Sequence, residues 1–498
     1  MEIRFHVCAL ALGATLTANA AYGHHSFDAN FARENTLVIE GTVTEFWFAN
    51  PHVRIYVDVE RDDGTVEEWM AEGNSRNNLI RAGWSEDTIR PGQFLSITGA
   101  RARDGSDSIG WFPGTPLTGR DGEVVGPSEP TETRAAPSVP PVFEVDPLWL
   151  KVPDGRVFGR LRGIALDDND HLWIAHYTGN LVANREGMLL GAVQDPPKSE
   201  CCVPLPPIVE FDAHGNFVQG WGGPSEDYDW PRGVHGLHID HTGHVWIAGE
   251  DPRDAMILKF TRSGELVLQI GQAQPERVLE ARETLGWSYP AETTSQDTGN
   301  VGRAADLWVY PETNELFVAD GYGNHRIVVF DAETGAYRRH WGAYGEEPRD
   351  DVPGTPAASR GTGIGATQFH VPHDVRISND ALVYVADRGN NRIQVFTLAG
   401  DFLKEQFIAQ QTSSQSGTAY SLAFSRDPEQ TWLYVGDTGN GRVRILNRRT
   451  MEEVAKFGQL GHYPGQFMVL HNIRTDSQGN LYTADLRDGV VQKWEIQR

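Results

Sequence analysis

One unit recurs six times between about residue 160 and the C-terminus, and a chain that repeats itself in this way has few folds open to it. The unit is a lead residue, a short strand, a polar turn, a second strand, a loop, a third strand opening on Arg or Ile, and a last strand closing on Phe-Gly or Trp-Gly. The second strands read HLWIAH, HVWIAG, LFVADG, VYVADR, LYVGDT and LYTADL, and third strands include ILKF, RIVVF, RIQVF and RVRIL. β-Branched and aromatic residues punctuated by Asp-Gly, Gly-Asn and Thr-Gly are the pattern of short antiparallel strands. Four-stranded sheets repeated radially make a β-propeller. The expectation is an all-β chain with a six-bladed β-propeller over residues 147–498, its spacing broken by insertions between Gly179 and Ile208 and around 345–368.

The lead residues of the six units are Arg162, His235, Ala305, His373, Tyr420 and His471. Histidine therefore stands in every second unit, each followed eleven residues later by an aromatic: Trp246, Tyr384 and Tyr482. In a ring of six, alternate blades lie about 120° apart and their lead side chains converge on the axis. Three converging imidazoles with an open position are the ligand set of a catalytic metal, most plausibly zinc. The alternative is a hydrogen-bonded polar plug. Asp320, Asp387, Asp437 and Asp485 recur at one position and read as acceptors for turn N–H groups. Arg326, Arg392 and Arg442 read as glue between strands.

A net charge of −25 over 498 residues argues against a phosphate-binding surface, so nucleic acid is excluded as a partner. Residues 1–23 read as an export signal, with Arg4, an apolar run from Val7 to Leu16 and small residues near Ala20 or Gly23. The run is too short for a stable membrane anchor. Cys8 lies inside it, against a lipid-anchored form, and the mature protein is expected to be periplasmic or secreted. Cys201 and Cys202 are adjacent in the first insertion, either as thiols, as a vicinal disulfide or as ligands for a soft metal. The sequence does not speak to oligomeric state.

Residues 24–112 form a second unit. Leu37–Ile39, Thr42–Val43 and Val53–Val59 alternate, Val66–Glu72 completes a hairpin after Asp63-Gly64, and Phe94–Gly99 is another strand. With a short helix over Ser75–Ala82, this is a small β-barrel-like domain. Residues 113–146, rich in Pro, Gly, Ser, Thr and Glu, read as a linker.

Two resemblances attach to these parts. His24-His25-Ser26-Phe27, Asn50-Pro51-His52, Arg81-Ala82-Gly83-Trp84 and Pro91-Gly92 resemble a family of small secreted bacterial domains of unknown function. The propeller resembles the NHL-repeat group and, within it, the peptidyl-α-hydroxyglycine α-amidating lyases (peptidylamidoglycolate lyases). The motifs are Val234-His235-Gly236-Leu237, Ala319-Asp320-Gly321-Tyr322-Gly323-Asn324, Val371-Pro372-His373, Val385-Ala386-Asp387-Arg388 and Leu470-His471-Asn472-Ile473. The resemblance implies a lyase in which His235, His373 and His471 bind zinc, Tyr322 is catalytic and Arg388 faces a substrate carboxylate. The implied partner is a small-molecule or peptide substrate bearing that carboxylate.

The chain also departs from that pattern. A first-blade arginine of the family has no counterpart in His176-Tyr177-Thr178-Gly179-Asn180, and Arg162 is the candidate to replace it. The aspartate that follows the family's last zinc histidine, a structural calcium ligand, is Asn472 here, which lowers the expected calcium affinity. Asp374 is the candidate to compensate. Cleavage after Gly23 would leave His24 and His25 at a new amino terminus where, with His52, they form a nitrogen set suited to copper. A zinc-dependent hydrolase and a non-catalytic binding propeller are the competing functions.

Overall fold

The computed structural model of the chain describes residues 31–48, 52–61, 63–73, 79, 84–111, 115–126, 139–178, 200, 202–274, 294–350, 366–414 and 417–497. The expected signal segment, His24, His25, Cys201 and nearly all of the expected helix over Ser75–Ala82 lie outside the described residues. Cys202 is disulfide-bonded. The chain divides into two compact units, 1–132 and 133–498.

The first unit is a five-stranded barrel. Its strands are β1 (Phe31–Trp47), β2 (Arg54–Glu60), β3 (Val66–Glu72), β4 (Phe94–Ala102) and β5 (Ser108–Trp111). They run in the order β1-β2-β3-β5-β4, and β4 returns to pair with β1, which closes the ring. The long β1 serves two partners, giving its first half to β4 and its second to β2, with a bulge between Val43 and Glu45 where the strand bends. Val43, Val53, Ile55, Val57, Leu95, Ile97 and Ile109 fill the interior. Short strands β6 (Leu117–Thr118) and β7 (Val124–Val125) extend the sheet from β4.

The second unit is a six-bladed propeller. Innermost strands run Arg160–Leu166, Val234–Ile239, Asp306–Tyr310, Pro372–Ile377, Ser421–Phe424 and Leu470–Thr475 in blades one to six. Each blade has four strands in antiparallel order. The inner strands are buried on both faces while the outermost, such as Phe217–Trp221, are partly exposed. Stacked blades explain this, since each inner strand is covered by the blade on either side. Six apolar clusters result, one per gap between blades; that around Trp149, Leu161, Ile164, Tyr482 and Val491 joins blade six to blade one.

Blade six takes its outermost strand from the other end of the propeller sequence. Val142–Asp146 pairs antiparallel with Val490–Gln497. The linker expected over 113–146 is thereby corrected: its start supplies β6 and β7, and its end supplies the closing strand. A Pro- and Gly-rich composition masks strands this short, and residues 142–146 show their pairing only when the far terminus is alongside. In blade five Arg442 donates to the Gly458 carbonyl at 3.2 Å, and it is Arg444 that reaches Asp437, at 2.7 Å.

Candidate metal centre

Lead residues sit where the inner strand turns from the axis into the sheet. In blades one, two, four and six the pairing register slips at this point, between Leu161 and Gly163, Val234 and Leu237, Pro372 and Asp374, and Leu470 and Asn472. Arg162, His235, His373 and His471 are thus each released from the ladder by a bulge, a device that re-aims a side chain. Blades three and five show no such slip.

The three imidazoles meet on the axis. Ring centroids are separated by 5.2 Å (His235–His373), 4.8 Å (His235–His471) and 4.9 Å (His373–His471). One nitrogen from each lies within 4.8 Å of the others. The Nδ1 side of every ring is already committed. His235 Nδ1–H donates to the Ala305 carbonyl at 2.6 Å, His373 Nδ1–H to the Tyr420 carbonyl at 2.8 Å, and His471 Nδ1–H to Asn472 Oδ1 at 2.9 Å. Blades three and five therefore hold the histidines of blades two and four through their backbones. These bonds fix one tautomer and leave each Nε2 lone pair pointing inward, as metal-ligating histidines require.

Burial drives all three imidazoles well below their ordinary pKa, reinforced by Arg162 at His235, by His471 at His373 and by His235 at His471. Each is a neutral imidazole. His471 Nε2 is buried with no hydrogen-bond partner. A buried orphan of this kind needs an explanation, and a divalent cation shared by the three Nε2 atoms provides one. The donor set fits zinc.

Tyr322 closes the centre from blade three. Its hydroxyl lies 3.0 Å from both His235 Nε2 and His373 Nε2. Gly321 allows the approach: a Cβ there would stand 2.0 Å from the Pro372 carbonyl, against the strand that carries His373. Burial pushes the Tyr322 phenol far above its ordinary value, while Arg388 opposes the shift. The Arg388 guanidinium is 5.3 Å from the Tyr322 ring and 4.5 Å from that of Tyr420, whose hydroxyl accepts a hydrogen bond from it. Arg303 donates to the Glu250 carbonyl at 2.7 Å and to the Tyr322 carbonyl at 3.3 Å.

Four residues at this centre were not singled out from the sequence as part of the site: Arg303, Tyr420 and Asn472, just described, and Glu250. Glu250 Oε1 is 2.5 Å from Arg162 Nη2, and its Oε2 is 3.9 Å from His235 Nε2. Arg162 therefore meets an internal carboxylate. His176, from the departing first-blade segment, uses both ring nitrogens on the backbone of Gly159 and Pro206 and takes no part. The two residues weighed for calcium are committed elsewhere. Asn472 Oδ1 holds His471, and Asp374 accepts from Ser421 and Leu422 and faces Arg376 at 3.1 Å. Asp320, Asp387, Asp437 and Asp485 hold loop and turn N–H groups or asparagine and arginine side chains. His52 lies in the barrel unit with Nδ1 3.1 Å from the Gly73 carbonyl; its proposed copper partners are outside the described residues.

A second acidic group, Asp167, His171 and Glu210, also has metal-like spacing. Arg262 stands among its members, 2.7 Å from Asp167, 3.1 Å from His171 and ion-paired with Glu210. A guanidinium already plays the cation there.

Residues 369–396, which include His373 and Arg388, match the NHL repeat, and residues 13–110 match a family of unknown function, DUF6152. The propeller is of the NHL type. This NHL propeller is similar to human NHL repeat-containing protein 3, 26% identical over 297 residues that make up 58% of this chain and 73% of that one. It is similar to rat peptidylglycine alpha-amidating monooxygenase, 26% identical over 355 residues, 68% of this chain and 30% of the rat protein. It also resembles a probable peptidyl-alpha-hydroxyglycine alpha-amidating lyase of Caenorhabditis elegans, 25% identical over 211 residues, 41% of this chain and 48% of the other.

Proposed function

We propose that the propeller is a zinc-dependent carbon–nitrogen lyase acting on a carbinolamide of the α-hydroxyglycine type. The observation that carries the reading is the set of three buried Nε2 atoms, each with its Nδ1 anchored, of which those of His235 and His373 face the hydroxyl of Tyr322. Similarity to proteins named amidating lyases supports it.

His235, His373 and His471 would hold the metal. Bound there, it would act as a Lewis acid towards a substrate hydroxyl, lower that hydroxyl's pKa and add the positive charge that favours a phenolate. Arg388, held by Tyr420, takes the substrate carboxylate, for which a guanidinium offers a two-pronged donor. Tyr322 takes the proton from the hydroxyl oxygen. The carbon–oxygen bond becomes a carbonyl, the Cα–N bond breaks with its electron pair passing to nitrogen, and Tyr322 returns the proton to that nitrogen. The products are an amide and glyoxylate. The chain would work in the periplasm or outside the cell.

Elemental analysis of the purified protein beside a His235→Ala/His373→Ala variant tests the centre, with about one zinc per chain expected only in the former. Glyoxylate release from an N-acyl-α-hydroxyglycine tests the reaction. Tyr322→Phe should keep the metal and lose at least about a hundredfold in turnover. A Tyr322→Phe protein with full turnover would remove Tyr322 from the mechanism. A metal-free protein that does not take up zinc would leave a binding propeller with a polar plug.

A further inference from the structure

Glu250 has no role in the reaction as written, yet it is built into the centre. Its backbone N–H donates to Gly233 at 2.8 Å, just ahead of the inner strand that bears His235, and its carbonyl accepts from Arg303 at 2.7 Å. The side chain is buried and spends one oxygen on Arg162 while the other turns towards His235. Glu250 also occupies a telling place in the repeat. It directly follows the second strand of blade two (Val245–Gly249), as Arg388 directly follows that of blade four (Val383–Asp387).

The ring therefore has two poles. Arg162 and Glu250 belong to blades one and two, and Arg388 and Tyr420 to blades four and five. In a six-membered ring blade one faces blade four, and blade two faces blade five. One pole presents a guanidinium steadied by a tyrosine. The other presents a carboxylate that holds Arg162 through Nη2, leaves Arg162 Nε without a hydrogen-bond partner, and sets a negative charge in the way of a second anion approaching that guanidinium.

We propose that Glu250 sets the specificity of the centre: paired with Arg162 and opposite Arg388 and Tyr420, it selects a small monocarboxylate that carries an N–H donor at its other end. This rests on the lyase reading and narrows it. The substrate is an α-hydroxyglycine whose nitrogen keeps its hydrogen, with its carboxylate towards Arg388 and its N–H towards Glu250 Oε2. An N-substituted analogue leaves Glu250 Oε2 without that donor, and a dicarboxylate brings a like charge against it.

Two measurements on the zinc-loaded full-length protein test this. The first compares turnover of N-acetyl-α-hydroxyglycine with that of its N-methyl counterpart. The second is calorimetric binding of three unreactive probes: N-acetylglycine, N-acetylsarcosine and malonate. Wild-type protein should favour the N–H member of each pair by at least about tenfold. In Glu250→Gln that preference should fall within about threefold, and malonate should bind at least about tenfold more tightly because Arg162 is released. Zinc content and melting temperature show whether the variant is intact, and the wild-type comparison needs no variant. Turnover without an N–H preference in the wild type overturns the inference and leaves the lyase. An intact Glu250→Gln protein with unchanged preference and unchanged malonate affinity does the same. No turnover of either substrate and no binding of any probe overturns both.

Discussion

Asn472 changes its meaning once its neighbours are visible. A residue expected to weaken a calcium site is instead the acceptor that orients His471. Such outer contacts set ligand direction and basicity, and their loss costs about 10- to 100-fold in metal affinity. Asn472→Ala should therefore raise the zinc dissociation constant by that factor with the fold intact, as read by chelator competition. Asn472→Asp, which keeps an acceptor, should stay within a few-fold of wild type. Equal affinities in all three proteins would reduce Asn472 to a packing residue. The three histidines were legible because residue type and repeat position coincided. Glu250 left a fainter signal. Where blades three to six end the second strand on Asp320, Asp387, Asp437 and Asp485, blade one has His176-Tyr177 and blade two has Gly249. The acceptor role in blade two passes to Asp254, which takes the N–H groups of Arg232 and Gly233.

Among the elements, the inner strands were legible as strands but not as bulged strands. A bulge costs one residue of register and leaves almost no trace in composition, so the slips at Arg162, His235, His373 and His471 appear only when both partners are placed. The closing strand escaped the sequence for a related reason, since its partner is more than three hundred residues away. Phe143 on this strand packs against Tyr434 and Phe457, with ring centroids 5.7 and 5.3 Å apart. Without residues 142–146 the strand Val490–Gln497 becomes a bare edge. A chain starting at residue 139 should melt close to the full-length propeller, whereas one starting at 148 should melt several degrees lower and aggregate on heating. Equal melting of the two would mean that the ring does not depend on this strand.

For the whole molecule the balance of buried titratable groups sets the response to acid. Burial lowers His176 to about 4 and His238 to about 3, and drives the three lead histidines well below 6.5. In the unfolded chain each titrates near about 6.5. Below that pH the unfolded state binds more protons, so stability falls as pH falls. Asp254, raised by burial to about 7, and Asp306, raised to about 6, act in the opposite sense because the folded chain keeps their protons. With His241 and His340 also lowered and Asp437 also raised by burial, seven imidazoles stand against three carboxyls among the described residues. The denaturation midpoint of metal-free protein should drop between about pH 7 and about pH 5, and more steeply once zinc is loaded, since protons then compete for its ligands. A flat or rising profile in the metal-free protein would mean that the lead histidines carry protons in the folded state.

The pairing of Val142–Asp146 with Val490–Gln497 also has a consequence in time. Synthesis runs from the amino end, so the first propeller strand to leave the ribosome is the last to find its neighbour. Five blades can stack while the sixth waits, and throughout that wait Val142–Asp146 has no partner strand. His471, which sits in the sixth blade, arrives only with the final residues. The centre on the axis is therefore finished at the same moment as the ring. A chain that stops before the sixth blade has two of the three imidazoles, His235 and His373, but not the place where the three meet.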